Sequence, residues 1–385
     1  MKDLLIQNAL VYVDGAFHPL NVLCRQGKIG TMAEHISSAT DALKVNGTGM
    51  RLTPGFIDAH THGGAGVDVN AADEEGLKRI AAFFASQGTT SWLASVLTDT
   101  EEATLRAIHA IHQVCRERGY GAQLMGVHLE GPFLNPEYKG AMPEHLLRQG
   151  DADLFQRCLE AAGKNLRYVT VAPEVPGVMD LIAAWSDRVT FALGHSAATY
   201  DTAMEAIRKG ARCITHTFNG MRLFHQHEPA IMGAGLESDA WCEAICDGRH
   251  LHRGTVRMLL KCKGWNRVMA VTDSIMAAGL PDGAYKLGVN DIIVENGDAR
   301  LAQGGTRAGS TLTTMGALRN LLTFTGEPLE KVLPLLTSNV AEALRLSDRK
   351  GRIAPHMDAD LLLLDGGVNL RLTVVGGEIL HRAMT

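Results

Sequence analysis

The stretch GFIDAHTHGG, residues 55–64, sets His60 and His62 two residues apart behind a short apolar run. Residues i and i+2 of a strand face the same side, so at a strand's end both imidazoles would point to one place. Metal ions are held in this way. With 16 histidines in the chain, however, such a pair also arises by chance, and it becomes informative only if further ligands end other strands.

They do. Glu130 in HLEGPF, His195 in LGHSAATY, His216 in THTFNG and Asp273 in VTDS each follow an apolar, β-type run. Taken singly, His195 or Asp273 could cap a helix and Glu130 could pair with Lys139. Taken together, they converge on one face. Imidazoles and carboxylates around an open coordination position suit zinc or a similar divalent ion that activates water.

The runs FIDAHTH, TTSWLASV, LMGVHLEG, RYVTVAPE, VTFALGH, CITHTF, EAICDGRH and RVMAVTDS would have to position these groups. Between them lie helical stretches such as Glu74–Gln87, Glu101–Arg118, Asp201–Lys209 and Arg253–Lys263. Eight βα units predict an α/β fold closed into a parallel (β/α)8 barrel, with its functional residues at the C-terminal strand ends. An open doubly wound sheet is the alternative, but no glycine-rich phosphate fingerprint follows the early strands.

The first fifty residues predict a small antiparallel sheet, and the last thirty revert to short strands and turns. Both termini are therefore expected to form one small domain, 1–51 with 354–385, beside a barrel of 52–353. A chain of 385 residues with 46% hydrophobic and 21% charged residues is an ordinary globular protein. A formal net charge of −5 argues against nucleic acid or anionic membranes as partners and for a small molecule. The opening MKDLLIQNALVYVDG reads as a strand, not a signal peptide, and no apolar run approaches a membrane span. Seven scattered cysteines read as reduced packing residues of a cytoplasmic protein.

The motifs PGFIDAHTHGG, HLEGPFLNPEYKGA, LGHSAATY, THTFNGM, DGRH, VTDS, AGSTLTTMGALRN and GRIAPHMDADLLLLD resemble the N-acetylglucosamine-6-phosphate deacetylases of the amidohydrolase superfamily, over nearly the whole chain. The resemblance implies a TIM barrel with a small β-sandwich built from both termini, usually as a homodimer. It makes Glu130, His195 and His216 the ligands of the main divalent metal. His60 and His62 match the pair found in members with a second site, so one or two ions are implied, zinc first, with iron, manganese or cobalt as alternatives.

The same resemblance makes Asp273 the proton carrier between water and the leaving amine, and His250 the hydrogen-bond donor to the acetamide carbonyl. The implied products are acetate and an amino sugar. Substrate contacts map onto Ala141, Asn219, Gly220, Asp247, Gly248, Arg249, His250 and the turn Arg307, Ala308, Gly309.

Two departures stand out. His227 in RLFHQHEP occupies the place of an arginine that reaches the sugar phosphate across the dimer, and Met142 follows KGA where many members have histidine. Histidine offers no bidentate fork and is only partly charged near neutrality. N-acetylgalactosamine 6-phosphate and an unphosphorylated sugar therefore stay open beside N-acetylglucosamine 6-phosphate. HLEGPF and DGRH favour this branch over cyclic amidases. An inactive barrel used for binding should have lost ligands that this chain keeps.

Overall fold

The computed structural model describes residues 2–36 and 41–383. Strands β1 (Leu4–Val13), β2 (Ala16–Arg25) and β3 (Lys28–Ala33) form an antiparallel meander. Its turns Asp14-Gly15 and Gln26-Gly27 have both residues at positive φ, as a tight two-residue hairpin whose twist matches its strands requires. The next strands, β4 (Leu43–Asn46) and β5 (Arg51–Pro54), run parallel to β1, each taking one half of it, Leu4–Gln7 and Leu10–Val11. The sheet is thus mixed, where the sequence suggested a purely antiparallel one.

From Gly55 the chain passes straight into a barrel of eight parallel strands: β6 (Phe56–Asp58), β9 (Thr89–Leu97), β10 (Gln123–Glu130), β11 (Leu166–Val171), β12 (Thr190–Leu193), β13 (Cys213–Ile214), β14 (Trp241–Ile245) and β15 (Val268–Val271). A two-residue pair, β7 (Gly63–Gly64) and β8 (Val67–Asp68), follows β6. Helices α1 (Glu74–Ser86), α2 (Glu101–Val114), α3 (Ala152–Ala162), α4 (Val178–Trp185), α5 (Tyr200–Arg208), α6 (Ala230–Glu237), α7 (Arg253–Lys263) and α8 (Thr314–Thr325) alternate with the barrel strands. Helix α1 shows why: Asp73 accepts from Gly76 N as N-cap, and Leu77, Ile80, Ala81 and Phe84 are buried along one face.

The barrel closes at its C-terminal rim. Asp273 N donates to His60 O at 2.9 Å and His62 N to Ser274 O at 2.7 Å. Below them, Asp58 Oδ2 accepts from Thr272 Oγ1 at 2.6 Å. Burial outweighs these hydrogen bonds and pushes the Asp58 carboxyl up to about 6. This seam between first and last strands sets His60 and His62 beside Asp273.

Between β15 and α8 lies a three-stranded antiparallel sheet that the sequence reading missed: β16 (Gly283–Leu287), β17 (Asn290–Glu295) and β18 (Asp298–Leu301). Leu287, Ile292, Val294 and Ala299 pack on Leu97, Leu134, Met142, Ile275 and Ala308. The insert so walls one side of the rim. Finally β19 (Leu361–Leu364), β20 (Leu370–Val375) and β21 (Glu378–Arg382) return to the first sheet, β19 lying antiparallel to β5. The order is β21-β20-β19-β5-β1-β2-β3, with β4 also on β1. Leu4, Ile6, Val22, Ile29, Leu361 and Val374 are among the residues of its core.

Candidate active site

Every group that the strand ends supply meets at this rim. His60 and His62 follow β6, Glu130 ends β10, His195 and His216 lie two residues beyond β12 and β13, and Asp273 two beyond β15. His195, His216 and Asp273 have φ of +48°, +26° and +50°. Such left-handed backbone costs free energy in a residue with a side chain and persists where surrounding structure enforces it. Here it turns each strand end so that its side chain enters the common site.

Glu130 is central. Its Oε1 lies 3.2 Å from His195 Nε2 and 3.4 Å from both His216 Nε2 and His60 Nε2, and its Oε2 lies 3.2 Å from His62 Nε2. Asp273 Oδ1 is 3.2 Å from His62 Nε2 and 3.6 Å from His60 Nε2. Donor atoms of His60, His62 and Asp273 form one close group, and those of Glu130, His195 and His216 a second, all buried.

The outer ring nitrogens decide what these groups suit. Nδ1 of His62, His195 and His216 lies 3.1, 2.7 and 3.1 Å from the main-chain carbonyls of Ser95, Tyr138 and Asn219. A carbonyl can only accept, so each Nδ1 carries the proton and, in the neutral ring, each Nε2 a lone pair. Yet His195 Nε2 faces His216 Nε2 at 3.0 Å, and His60 Nε2 faces His62 Nε2 at 3.1 Å. Lone pairs aimed at one another with carboxylate oxygens alongside call for a cation, and hydrogen bonds behind the rings are how ligating histidines are oriented. The donor set therefore fits a divalent metal ion.

Burial alone would raise the Glu130 carboxyl, but positive charge at His60 and the close ring nitrogens of His195, His216 and His60 hold it well below the usual range. Burial opposes charge on His60 too, and Glu130, Glu243 and Asp273 overcome it, keeping the ring well above its ordinary value. Asp273 resists burial in the same way and is pulled down to about 2 by His60 and His62.

A cavity of about 350 Å³ opens onto these groups, lined by His62, Glu130, His195, His216, His250 and Asp273 together with Ala141, Asn219, Gly220, Arg307, Ala308 and Gly309. Gly220, at φ +55°, lies against both rings: a Cβ there would meet His195 Nδ1 at 3.1 Å and His216 Cε1 at 3.3 Å. His250 Nδ1 lies 2.7 Å from Asp247 Oδ2, while Asp247 Oδ1 accepts from the main-chain N–H groups of Arg249 and His250. Asp247 thus shapes the turn and faces the ring.

Other expected contacts lie elsewhere. Asp247, Gly248 and Arg249 do not line the cavity, and the Arg249 side chain donates to Asn296 O. His227 is exposed on the segment before α6 and is outside the cavity. The fork of Arg307 is engaged by Asp298, 2.7 Å from Nε and 3.0 Å from Nη2, and its Nη1 donates to Arg249 O.

The sequence reading also missed residues. Leu97, Glu137, Tyr138, Gly140, Leu287 and Thr306 line the cavity, and fully buried Glu243 stands beneath it. A carboxylate inside the apolar strand WCEAI was the available signal, since such residues are rarely buried without a partner.

A parallel barrel whose C-terminal rim gathers imidazoles and carboxylates is the architecture expected of the amidohydrolase class. Residues 51–380 match the family model described as the Amidohydrolase family. The chain is 34% identical over 380 residues to the N-acetylglucosamine-6-phosphate deacetylase of Lysinibacillus sphaericus, covering 98% of this chain and 97% of that one. It is 35% identical over 330 residues to the N-acetylgalactosamine-6-phosphate deacetylase of Escherichia coli O157:H7, covering 85% and 87%. A mutant N-acetyl-D-glucosamine-6-phosphate deacetylase from Mycobacterium smegmatis, solved in complex with N-acetyl-D-glucosamine-6-phosphate, superposes with a TM-score of 0.92 at 31% identity, over 99% of this chain and 100% of that one. The chain belongs to the amidohydrolase family and, within it, to the N-acetylglucosamine-6-phosphate deacetylases.

Proposed function

We propose that the protein hydrolyses the acetamide of N-acetylglucosamine 6-phosphate to glucosamine 6-phosphate and acetate. The observation that carries this reading is that His62, Glu130, His195, His216, Asp273 and His250 line one cavity of sugar-phosphate size. Glu130, His195 and His216 would hold the main divalent ion, zinc in this reading, with His60 and His62 available for a second; when bound, such an ion polarises a carbonyl and acidifies water.

The protein's own groups do the rest. Asp273, ionised and opening into the cavity, accepts a proton from the attacking water as its oxygen bonds to the carbonyl carbon. When the C–N bond breaks, Asp273 returns that proton to the departing nitrogen, leaving acetate and the amine. His250 sets its Nδ1 against the Asp247 carboxylate, and an Nε2–H on the ring would donate to the carbonyl oxygen as negative charge develops there. Asn219, Gly220 and the turn Arg307 to Gly309 would seat the sugar.

In this reading residues 1–51 and 354–385 form the small domain and 52–353 the catalytic barrel of a cytoplasmic homodimer. Exposed Leu223 and Phe224, close in sequence to His227, support a second copy seated on that loop, with His227 reaching the partner's phosphate.

A second reading, an unphosphorylated acetamido sugar, is favoured by one observation. Among the described residues lining the cavity, Arg307 is the one guanidinium, and Asp298 already engages it. Acetate release from a panel of N-acetylated sugars, each with and without 6-phosphate, tests both. N-Acetylglucosamine 6-phosphate should lead in kcat/KM; no acetate from any member of the panel would overturn the deacetylase reading.

A further inference from the structure

Three of the four rim imidazoles direct Nδ1 at a neutral main-chain carbonyl. His60 is the exception. Its Nδ1 lies 3.0 Å from Oε2 of Glu243, a carboxylate on β14 with no exposed surface. The same oxygen accepts from the main-chain N–H of His216 at 2.8 Å. Glu243 Oε1 is buried and has no hydrogen-bond partner among the described residues.

Burying a carboxylate is costly, and a single acceptor for a ring N–H does not require one: a carbonyl serves the other three rings. A charged acceptor does something a carbonyl does less well. It raises the basicity of the opposite ring nitrogen and so strengthens it as a metal donor. It also adds negative charge beneath a site meant for a cation. Because one oxygen grips His60 from one ligand group and the backbone of His216 from the other, it fixes their separation.

We infer that Glu243 is the positioning residue of the metal centre: it sets the tautomer and donor strength of His60 and ties the His60/His62/Asp273 group to the Glu130/His195/His216 group. This rests on reading the rim as a metal site.

The test uses the full chain, its Glu243→Gln and Glu243→Ala variants, and zinc as the probe. In metal-free wild type, nitrogen-15 spectra of the imidazoles should show an Nδ1–H proton shifted strongly downfield that disappears in both Glu243→Ala and His60→Asn. Glu243→Gln keeps shape and an acceptor oxygen but removes charge. It should weaken zinc binding about 10- to 100-fold, the usual effect of losing such a partner, with unaltered circular dichroism. Zinc affinity in Glu243→Gln within twofold of wild type would overturn the inference, as would a wild-type His60 ring that carries no proton at Nδ1. If Glu243→Ala does not fold, wild type, His60→Asn and Glu243→Gln still decide it. A wild-type protein that binds no zinc would instead overturn the metal reading, while the tautomer spectra would still report whether Glu243 holds His60.

Discussion

His195 and His216 confront each other Nε2 to Nε2 at 3.0 Å, each ring backed by a main-chain carbonyl at Nδ1. With no proton to share between those nitrogens in the neutral rings, their juxtaposition is favourable only around a cation. His195→Ala or His216→Ala should therefore lose bound metal and activity together, as read by elemental analysis and acetate release. Chelation of the wild type should also lower its melting temperature, because binding to the folded state stabilises it by mass action. Full metal content in both variants would exclude this site.

Asp273 contributes to the rim differently. Its carboxylate sits beside His62 but outside the Glu130/His195/His216 group. Asp273→Asn should keep the metal of that group while lowering kcat by a factor of about 10² to 10⁴, the usual contribution of general acid–base catalysis. Steady-state rates with metal content measured on the same samples check this; a kcat within threefold of wild type would rule out the proton-carrier role.

The barrel was legible because its eight strands are apolar runs with helical spacing between them, and the rim because each ligand follows its run by no more than a few residues. Glu130, His195, His216 and Asp273 could be read from position alone. The left-handed backbone at His195 and Asp273 could not, since histidine and aspartate enter that region more often than most residues yet still only in a small minority of cases. Glu243 was hidden for a different reason: its partners, His60 and the His216 amide, are 183 and 27 residues away. The β16–β18 insert has alternating buried residues at Ile292 and Val294 and the hairpin signal Asn296-Gly297. It repeats no βα unit, so the period of the barrel does not announce it. The family's arginine position gave only a mismatch at His227, because what an exposed side chain meets is not written in the sequence around it.

Asp298 links that insert to the cavity. Hydrogen bonding from Arg307 holds its carboxyl down to about 2, against the burial that would raise it. The folded value lies below the ordinary 3.8, so the contribution to stability is present above pH 4 and lost as pH falls toward 2. Asp298→Asn should cost about 1 kcal/mol at pH 7, after allowance for solvent screening, and the difference from wild type should shrink below pH 3. Because Arg307 and the turn through Gly309 would loosen, KM should rise more than kcat falls. Denaturant melts at both pH values and steady-state kinetics read the two effects. An unchanged KM would detach Arg307 from the substrate.

His227 carries the sharpest question about the substrate. It is exposed and stands outside the cavity of its own chain, so any contact with a sugar phosphate is made in a second copy. If His227 meets the phosphate, His227→Ala should raise KM for the phosphorylated sugar and leave that for the unphosphorylated sugar unchanged. His227→Arg, which offers a fixed bidentate fork, should lower KM for the phosphorylated sugar, while kcat, set at the rim, changes less. Suppose instead that phosphorylated and unphosphorylated sugars are cleaved with equal kcat/KM and that His227→Arg alters neither. Then His227 makes no phosphate contact, and the enzyme's substrate is an acetamido sugar without the 6-phosphate.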